Sequence, residues 1–365
     1  MNPEITDKAA FDKLLLFCVK EGASDLHLSI SRPPVYRLHG ELKTLEAEAV
    51  SGETLEMIVH SLMTPGQQAE FESQQSIDLG YSSPEGDRFR VNCYRQLGQV
   101  AMAIRHIDQD MCDVEQLSLP PQLRKLAHLK SGLVLVTGAT GSGKSTTLAA
   151  LLHEINTNRN CHILTIEDPV EFIHVGKKSL IHHRELYTDV PDFPSAIRSA
   201  LREDPDVIMV GEMRDLETMR AARTAAETGH LVFSTLHTAD AVGTVERFVG
   251  SFPGDEQSVA RHRIAMSLRA VVSQHLLPTS NGGGRVPAVE ILMVTLAVAN
   301  LIDGAKTRQI YSSMESGAGE GMQTRDQSLA QLVARRQISR EVARQFCNDP
   351  VAFDKLLQIS VLRGA

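Results

Sequence analysis

One stretch, Gly138–Ser145, constrains the fold of this chain more than any other. Its sequence, GATGSGKS, matches the phosphate-binding loop pattern G-x-x-x-x-G-K-[ST] at every fixed position. The apolar run Leu133–Val136 precedes the loop and predicts a buried parallel strand. Leucines and an isoleucine at helical spacing follow it over 148–155, so a helix is expected from about Lys144. Strand, glycine loop and helix in this order predict a nucleotide-binding α/β domain.

The loop supplies the groups that hold a nucleoside triphosphate. Its glycines let consecutive backbone N–H groups turn toward a phosphate chain, and the helix N-terminus adds positive potential. Lys144 is expected to reach the β- and γ-phosphates, and Ser145 is expected to ligate Mg²⁺. The residues predicted to contact the nucleotide are Gly138, Ala139, Thr140, Gly141, Ser142, Gly143, Lys144, Ser145 and Thr146.

Length, charge and cysteine pattern narrow the class of protein. A chain of 365 residues favours two domains. The net charge of −8 argues against a large nucleic-acid-binding surface, which needs a basic patch. The five cysteines are scattered without a C-x-x-C pair, which indicates neither a zinc site nor a disulfide framework. No run resembles a transmembrane helix or a signal peptide, so a cytoplasmic protein without direct membrane insertion is expected.

The first part of the chain, residues 1–108, predicts a small α+β domain with an antiparallel sheet. One helix is expected over residues 6–22, and a second around 55–62 that stops before Pro65. The predicted strands are 26–30, 35–42, 77–81, 88–94 and 100–107. Residues 109–131, with several acids and a Pro-Pro pair, predict a linker.

From residue 132 onward strands and helices alternate, which is typical of a parallel sheet. The predicted strands are 133–137, 162–166, 207–210 and 231–235, and the predicted helices are 144–156, 194–203 and 215–228. This pattern predicts a RecA-like core over residues 132–280. Residues 281–365 are expected to be mainly helical, with a capping box at Thr324 and Gln327. The fold class is therefore α/β: a RecA-like P-loop domain preceded by a small α+β domain, with a helical C-terminal extension.

Hydrolysis needs acidic side chains beyond the phosphate loop. The apolar strand 207–210 ends in Gly211 and Glu212, as a Walker B element should. Many such ATPases have an aspartate where Gly211 stands. Glu212 must therefore carry the carboxylate function alone, and it is the second predicted Mg²⁺ ligand beside Ser145.

A second acidic cluster and two histidines complete the candidates. Glu167 follows a predicted strand and is the candidate general base, with Asp168 and Glu171 as weaker candidates. His230 and His237 flank the predicted strand 231–235, and His237 is placed where it could contact a γ-phosphate. The residues alone leave open whether these histidines are structural or catalytic.

Several longer motifs resemble those of a known superfamily. GATGSGKS, ILTIEDPVEF, REDPDVIMVGEMRDLETM and TAAETGHLVFSTLHTADA resemble, in order and spacing, the Walker A, Asp, Walker B and His boxes of the secretion ATPases. GASDLHL near the start and GMQTRDQSL near the end are similar to the PilT-like branch, the retraction ATPases of type IV pili within the GspE/PilB superfamily. The resemblance covers nearly the whole chain, which lacks the tetracysteine zinc motif of the assembly ATPases.

This resemblance implies a fold, a reaction and site residues. It implies a PAS-like N-terminal domain, a homohexameric ring and Mg²⁺-dependent ATP hydrolysis coupled to mechanical work. It supports Glu167 as general base, Glu212 in the metal and water shell and His237 as a γ-phosphate sensor. It also singles out Arg90 in FRVN and Arg105 in AIRHI, whose guanidinium charge would neutralise the transition state.

The resemblance further implies a cellular role. It implies a motor that powers pilus retraction and twitching motility at the inner face of the inner membrane. Expected partners are a membrane-embedded platform protein and a paralogous retraction ATPase. The AIRNLI motif of this branch reads AVANLI here, with Ala299 in place of the arginine. The alternatives are therefore a PilU-like accessory ATPase or another secretion-system ATPase, a slowly hydrolysing regulatory subunit, and, from another class, a RecA-like nucleic-acid translocase.

Overall fold

The computed structural model describes residues 5–362 of the 365-residue chain, with side chains described as far as residue 359. These residues form two units. Unit 1 contains the residues up to 110 and two later segments, 166–173 and 183–192, and unit 2 contains the rest. Both later segments lie within the range 132–280 that was expected to form the ATPase core. The predicted domain limits themselves stay a prediction.

Unit 1 contains an antiparallel sheet, as expected. The elements found among residues 5–110 are α1 (Lys8–Lys20), β1 (Asp25–Ser29), β2 (Val35–Leu38), β3 (Glu41–Thr44), α2 (Gly52–Leu62), α3 (Pro65–Gln74), β4 (Ser76–Ser82), β5 (Arg88–Gln96) and β6 (Gln99–Ile107). The strand order is β3-β2-β1-β6-β5-β4, and every neighbouring pair is antiparallel. Helix α3 was not predicted. It begins at Pro65 because proline fits a first helical turn, where its missing N–H is not needed, and Thr64 and Gln67 form a capping box in front of it.

The sheet of unit 1 has one apolar and one charged face, because successive side chains of a strand point to opposite sides. Phe89, Val91 and Cys93 of β5 are buried in a core that also contains Phe11 and Phe71. The opposite side, which we call the charged face, carries Asp25, Asp78, Arg88, Arg90 and Arg105. Cross-strand register places Arg90 directly opposite Arg105, and Arg105 directly opposite Asp25.

Unit 2 is an α/β unit with a helical C-terminal region, which confirms the predicted fold class. Its elements up to residue 293 are α4 (Arg124–Ala127), β7 (Gly132–Thr137), α5 (Lys144–Asn158), β8 (His162–Glu167), β9 (Leu180–Glu185), α6 (Phe193–Ala200), β10 (Val207–Val210), α7 (Leu216–Glu227), β11 (Leu231–Leu236), α8 (Ala241–Gly250), α9 (Gln257–Ser267), β12 (Leu268–Pro278) and β13 (Arg285–Met293). The helices that follow are α10 (Leu296–Asp303), α11 (Ile310–Ser316), α12 (Arg325–Ala334), α13 (Arg340–Phe346) and α14 (Pro350–Leu362). The last residues of β8 and β9 belong to unit 1.

The seven strands found from residue 132 onward form one sheet in the order β13-β12-β7-β11-β10-β8-β9. Strands β10, β11, β7 and β12 pair in parallel, and β12 pairs with β13 in antiparallel orientation. The four strands predicted in this part are present, whereas β9, β12 and β13 were not predicted. Strand β13 lies in the part that was expected to be mainly helical. It forms a hairpin with β12 around the glycine-rich stretch 281–284, and its sequence, RVPAVEILM, contains the β-branched and apolar residues that favour a buried strand.

Within residues 5–362, none of the helices has both the length and the apolar character that crossing a membrane would require.

Candidate active site

The phosphate loop of unit 2 has the strand, loop and helix context that its sequence predicted. Strand β7 is buried along its whole length, and α5 begins at Lys144. Gly138 and Gly143 have φ values of 141° and 89°, which favour glycine. A Cβ at Gly138 would overlap the carbonyl oxygen of Gln274, and one at Gly143 would lie 2.9 Å from its amide nitrogen. Gln274, buried in β12, therefore fixes how closely the loop packs on the sheet.

The polar groups of the loop face a surface that a ligand can reach. Ala139, Thr140, Gly141 and Ser145 are exposed. The Lys144 ammonium donates hydrogen bonds to the carbonyl oxygens of Gly138 and Ala139, both at 3.0 Å, so its charge lies over the loop. This cradle of backbone and ammonium groups fits a triphosphate chain.

Glu212 and His237 meet at the ends of two neighbouring parallel strands, β10 and β11. His237 Nε2 lies 3.4 Å from Glu212 Oε2, and Arg214 forms an ion pair with the other carboxylate oxygen. The Glu212 side chain is 17 % exposed and that of His237 is 51 % exposed. Strand β11 also pairs with β7, with Leu236 opposite Thr137, so His237 follows its strand at the level where Gly138 begins the loop. The carboxyl edge of this sheet thus collects the loop, Glu212 and His237, as expected.

The second histidine, His230, lies at the opposite end of β11. Its Nδ1 is 3.0 Å from the carbonyl oxygen of Ala225 and 3.3 Å from Thr228 Oγ1, both at the end of α7. Its own carbonyl oxygen accepts a hydrogen bond from Gly132 N. These contacts give His230 a structural environment and separate it from His237.

Three supporting residues of this edge were not singled out from the sequence. Arg214 forms an ion pair with Glu212. The sequence indicated this only through the position of Arg214 two residues after Glu212 in GEMRD. Thr235 Oγ1 donates to the carbonyl oxygen of Gly211 at 2.8 Å, which holds the turn before Glu212. Gln274 accepts a 2.8 Å hydrogen bond from Thr147 Oγ1 and lies in a strand that was not predicted.

Glu167, the predicted general base, lies at the end of β8 and belongs to unit 1. The residue is buried, at 8 % exposure. Its Oε2 accepts a hydrogen bond of 3.3 Å from the backbone N–H of Glu171, and its carbonyl oxygen accepts one of 3.0 Å from Leu186 N. The weaker candidates differ from it: Asp168 and Glu171 are half-buried, and the Glu171 carboxylate pairs with Arg90 at 3.7 Å.

Both predicted arginines lie on the charged face of unit 1 and are held by carboxylates. Arg90 Nη2 donates to Asp78 at 3.1 Å. Burial alone would lower the pKa of Arg90. The hydrogen bond to Asp78 and the negative charges of Asp78, Glu171 and Asp168 outweigh burial and raise that pKa above its ordinary value.

Arg105 is the more accessible of the two arginines, with a side chain that is 69 % exposed. Its Nε donates to Asp25 Oδ1 at 2.8 Å. Burial opposes ionisation of Asp25, but hydrogen bonds from Ser24 and Arg105 and the nearby positive charge lower its pKa.

The structure therefore brings the candidates together in two groups. Unit 2 gathers the phosphate loop, Glu212 and His237, and unit 1 gathers Glu167, Arg90 and, next to Arg90, Arg105. The expectation that both groups act on one nucleotide stays a prediction.

The oxygen groups fit a magnesium ion that is shared with a substrate. The residues described include no cluster of three or more His, Cys, Asp or Glu side chains arranged to hold a metal. Magnesium at phosphate loops takes only one or two protein ligands and completes its shell with phosphates and water. The exposed Ser145 hydroxyl and the Glu212 carboxylate are the predicted ligands of this kind, and their role stays a prediction.

Comparison with known proteins places these features in a family. A family model described as "Type II/IV secretion system protein" matches residues 8–309. The chain is 46% identical to the type IV pilus retraction ATPase PilT of Pseudomonas aeruginosa over 341 residues, 93% of this chain and 99% of that protein. It is 38% identical to the type IV pilus ATPase PilU of the same organism over 333 residues, 91% of this chain and 87% of PilU. A crystal structure of the pilus retraction motor PilT with bound ADP superposes with a TM-score of 0.86 and 40% identity, covering 94% of this chain and 98% of that one.

Proposed function

The chain belongs to the Type II/IV secretion system protein family and is an ATPase, and we propose that it is the hexameric motor that retracts a type IV pilus and so drives twitching motility. The observation that carries hydrolysis is the Glu212–His237 pair at the carboxyl edge that also holds the phosphate loop. The observation that carries retraction is the 46% identity to a retraction ATPase over 93% of the chain.

The residues of unit 2 bind the nucleotide in this proposal. Backbone N–H groups of the loop and the Lys144 ammonium hold the β- and γ-phosphates. Ser145 and Glu212 hold Mg²⁺, which when bound neutralises phosphate charge. His237, which shares a contact with Glu212, senses the γ-phosphate and reports its loss to the Walker B carboxylate.

The residues of unit 1 act on the reaction itself. Glu167 orients and deprotonates the attacking water, since it is buried and its carboxylate is held by a backbone N–H. Arg90 and Arg105 supply positive charge as the γ-phosphoryl group transfers, a contribution of about 10³–10⁵ in rate for arginine fingers elsewhere. Arg105, with its exposed side chain and single ion pair, is the better placed of the two to exchange partners.

The proposed assembly is a homohexameric ring on the cytoplasmic side of the inner membrane. The ring transmits the motion between its domains to a membrane-embedded platform protein of the pilus. A paralogous retraction ATPase is a further proposed partner. These assignments rest on the family and on the similarity to PilT, not on contacts in this chain.

The accessory role remains a second candidate because of one residue. Ala299, half-buried in α10, stands where the PilT branch has the arginine of AIRNLI. The higher identity to PilT than to PilU favours the main motor, whereas the missing guanidinium favours a PilU-like role.

A complementation experiment separates these functions. The wild-type chain and Lys144→Ala are each expressed in cells that lack the main retraction ATPase, and in cells that lack both paralogues. We expect phosphate release in vitro and restored pilus retraction from the wild type in both strains, and neither from Lys144→Ala, because the substitution removes the ammonium charge that the phosphates need. Retraction only in the presence of a paralogue would assign the accessory role. Hydrolysis that is strongly stimulated by DNA or RNA, without any retraction, would instead support the translocase.

A further inference from the structure

A buried arginine on the charged face of unit 1 forms hydrogen bonds with the segment that follows Glu167. Arg88 is 9 % exposed, and its Nε and Nη2 donate to the carbonyl oxygen of Val170 at 3.2 and 3.0 Å. The same Nη2 donates to Glu185 Oε2 at 2.8 Å, and Nη1 donates to Ser82 Oγ at 3.2 Å. Glu185 Oε2 also accepts the backbone N–H of Val170 at 3.1 Å. Arg88 and Glu185 therefore hold both backbone polar groups of Val170; we call this arrangement the Val170 clamp.

The neighbouring strand β4 leaves space for the side chains of the clamp. Gly80 of β4 has an ordinary φ, so its backbone does not require glycine. A Cβ there would overlap Arg88 Nη2 and would lie 2.8 Å from Glu185 Oε2. The absence of a side chain at Gly80 is thus explained by the space that the guanidinium and carboxylate occupy.

The clamp borders the contacts that hold Glu167. Val170 is followed by Glu171, whose N–H donates to the Glu167 carboxylate at 3.3 Å. Glu185 is followed by Leu186, whose N–H donates to the Glu167 carbonyl oxygen at 3.0 Å. Val170 and Glu185 are thus each followed directly by a residue whose N–H donates a hydrogen bond to Glu167.

We propose that Arg88 and Glu185 are positioning residues for Glu167, and that they hold its carboxylate in place for water activation. The proposal rests on the proposed role of Glu167 as general base. Burying an ion pair is a weak source of stability, because the desolvation of two charges offsets their attraction. A guanidinium, however, places its Nε and Nη2 donors on one carbonyl oxygen while Nη2 also donates to the carboxylate, a planar arrangement of donors that a lysine does not have. The arrangement fixes geometry, and displacement of a catalytic group by about 1 Å can lower a rate about 100-fold.

The test compares two clamp variants, Glu185→Gln and Gly80→Ala, with a matched control in the full-length chain. Gly80→Ala displaces the guanidinium without removing a charge. The control is Glu56→Gln, which removes a more exposed ion pair, at 2.9 Å, to Arg95 on the same strand β5. We expect both clamp variants to lower kcat about 10- to 100-fold with KM for ATP within about 2-fold, and the control to keep both constants.

A second readout does not depend on activity. Amide hydrogen exchange of the nucleotide-free protein reports the N–H groups of Glu171 and Leu186, which donate to Glu167. Both should lose protection in the clamp variants and keep it in Glu56→Gln, while amides of β5 stay protected in all variants. Loss of β5 protection as well would mean that unit 1 has unfolded, and would overturn the positioning role in favour of a structural one.

The remaining outcomes distinguish this inference from the proposed function. A normal kcat in Glu167→Gln would refute the general-base role itself. If Glu167→Gln is inactive but the clamp variants have a normal kcat, the positioning role alone is wrong. The same conclusion follows if the clamp variants lose kcat while the amides of Glu171 and Leu186 stay fully protected from exchange.

Discussion

At the scale of single residues, the two histidines that flank β11 provide a matched pair. His237 contacts the Glu212 carboxylate, whereas His230 contacts the backbone at the end of α7. We expect His237→Asn to lower kcat about 100-fold, since asparagine lacks the imidazole Nε2 that contacts Glu212 at the phosphate edge. His230→Asn should lower the melting temperature and leave kcat within about 2-fold. Phosphate release and thermal unfolding measure both effects, and equal losses of kcat would contradict the assignment.

The buried thiols allow a second prediction at this scale. Burial raises the pKa of Cys18 and of Cys93 to about 12. The thiolate is the reactive form, and at pH 8 only about one such thiol in 10⁴ is ionised. We expect iodoacetamide to label the half-buried Cys112 and Cys161 in the native protein long before Cys18 and Cys93, and to label all of them after denaturation. Peptide mass spectrometry gives the order; comparable native rates for Cys93 and Cys112 would show that unit 1 opens readily.

Residue types and local spacing predicted the centre of the site but not its supports. The phosphate loop, Glu212 and His237 were predicted to follow strands, and each does, while their catalytic and binding roles stay a prediction. Gln274 was missed because its role comes from packing on a loop more than 100 residues earlier, which no local pattern records. Arg88 was missed for the same reason: its partners Val170 and Glu185 lie far along the chain.

At the scale of secondary-structure elements, the β5–β6 hairpin contains a strained position. Leu97 and Gly98 form its two-residue turn, with φ values of 51° and 75°, between the paired Gln96 and Gln99. Such turns favour Asn-Gly, because a residue with a branched or bulky side chain is strained at positive φ.

Replacing Leu97 by asparagine should therefore stabilise unit 1. The Leu97 side chain is fully exposed, so little packing is lost. We expect Leu97→Asn to raise the free energy of unfolding by about 0.5–1 kcal/mol and Leu97→Val to lower it. Urea unfolding followed by a probe in unit 1 measures the difference. A less stable asparagine variant would show that the leucine makes contacts which its exposure does not reveal.

The same scale shows where element prediction succeeded. Strands with alternating or continuous apolar patterns and helices with clear N-caps, such as α7 after Asp215, were predicted near their observed bounds. Helix α3 was missed because its polar sequence has no apolar stripe and depends on its capping box. Strands β12 and β13, which pair with each other over nine residue pairs, were missed although both contain β-branched and apolar residues typical of strands. Strand β13 was missed because the part of the chain after the core was interpreted as helical.

At the scale of the whole molecule, the predicted catalytic groups are divided between two units. The loop residue Lys144 belongs to unit 2, and Arg105 belongs to unit 1. No sequence pattern in a single chain states whether such groups meet within one subunit or across a subunit boundary. In a ring, every interface joins two different surfaces, so unit 1 of one subunit can complete the site of the next.

Mixing two inactive variants tests this arrangement. Lys144→Ala has a defective loop and an intact Arg105, and Arg105→Ala has an intact loop without its arginine. If Arg105 acts on the ATP of a neighbouring subunit, about a quarter of the interfaces in a random equal mixture join an intact loop to an intact arginine. We therefore expect the mixture to recover up to about a quarter of the wild-type phosphate-release rate.

The control mixture pairs Lys144→Ala with Glu212→Gln. Both residues lie in unit 2, on the same sheet edge, so both must be intact in one subunit and no arrangement of this mixture contains a complete site. It should remain inactive although its subunits exchange, which native mass spectrometry confirms for both mixtures. Recovery by both mixtures would point to cooperation between subunits that does not involve the arginine. Inactivity of both, with exchange demonstrated, would mean that Arg105 reaches the nucleotide of its own subunit, because in that case only a chain that carries both intact groups can complete the site.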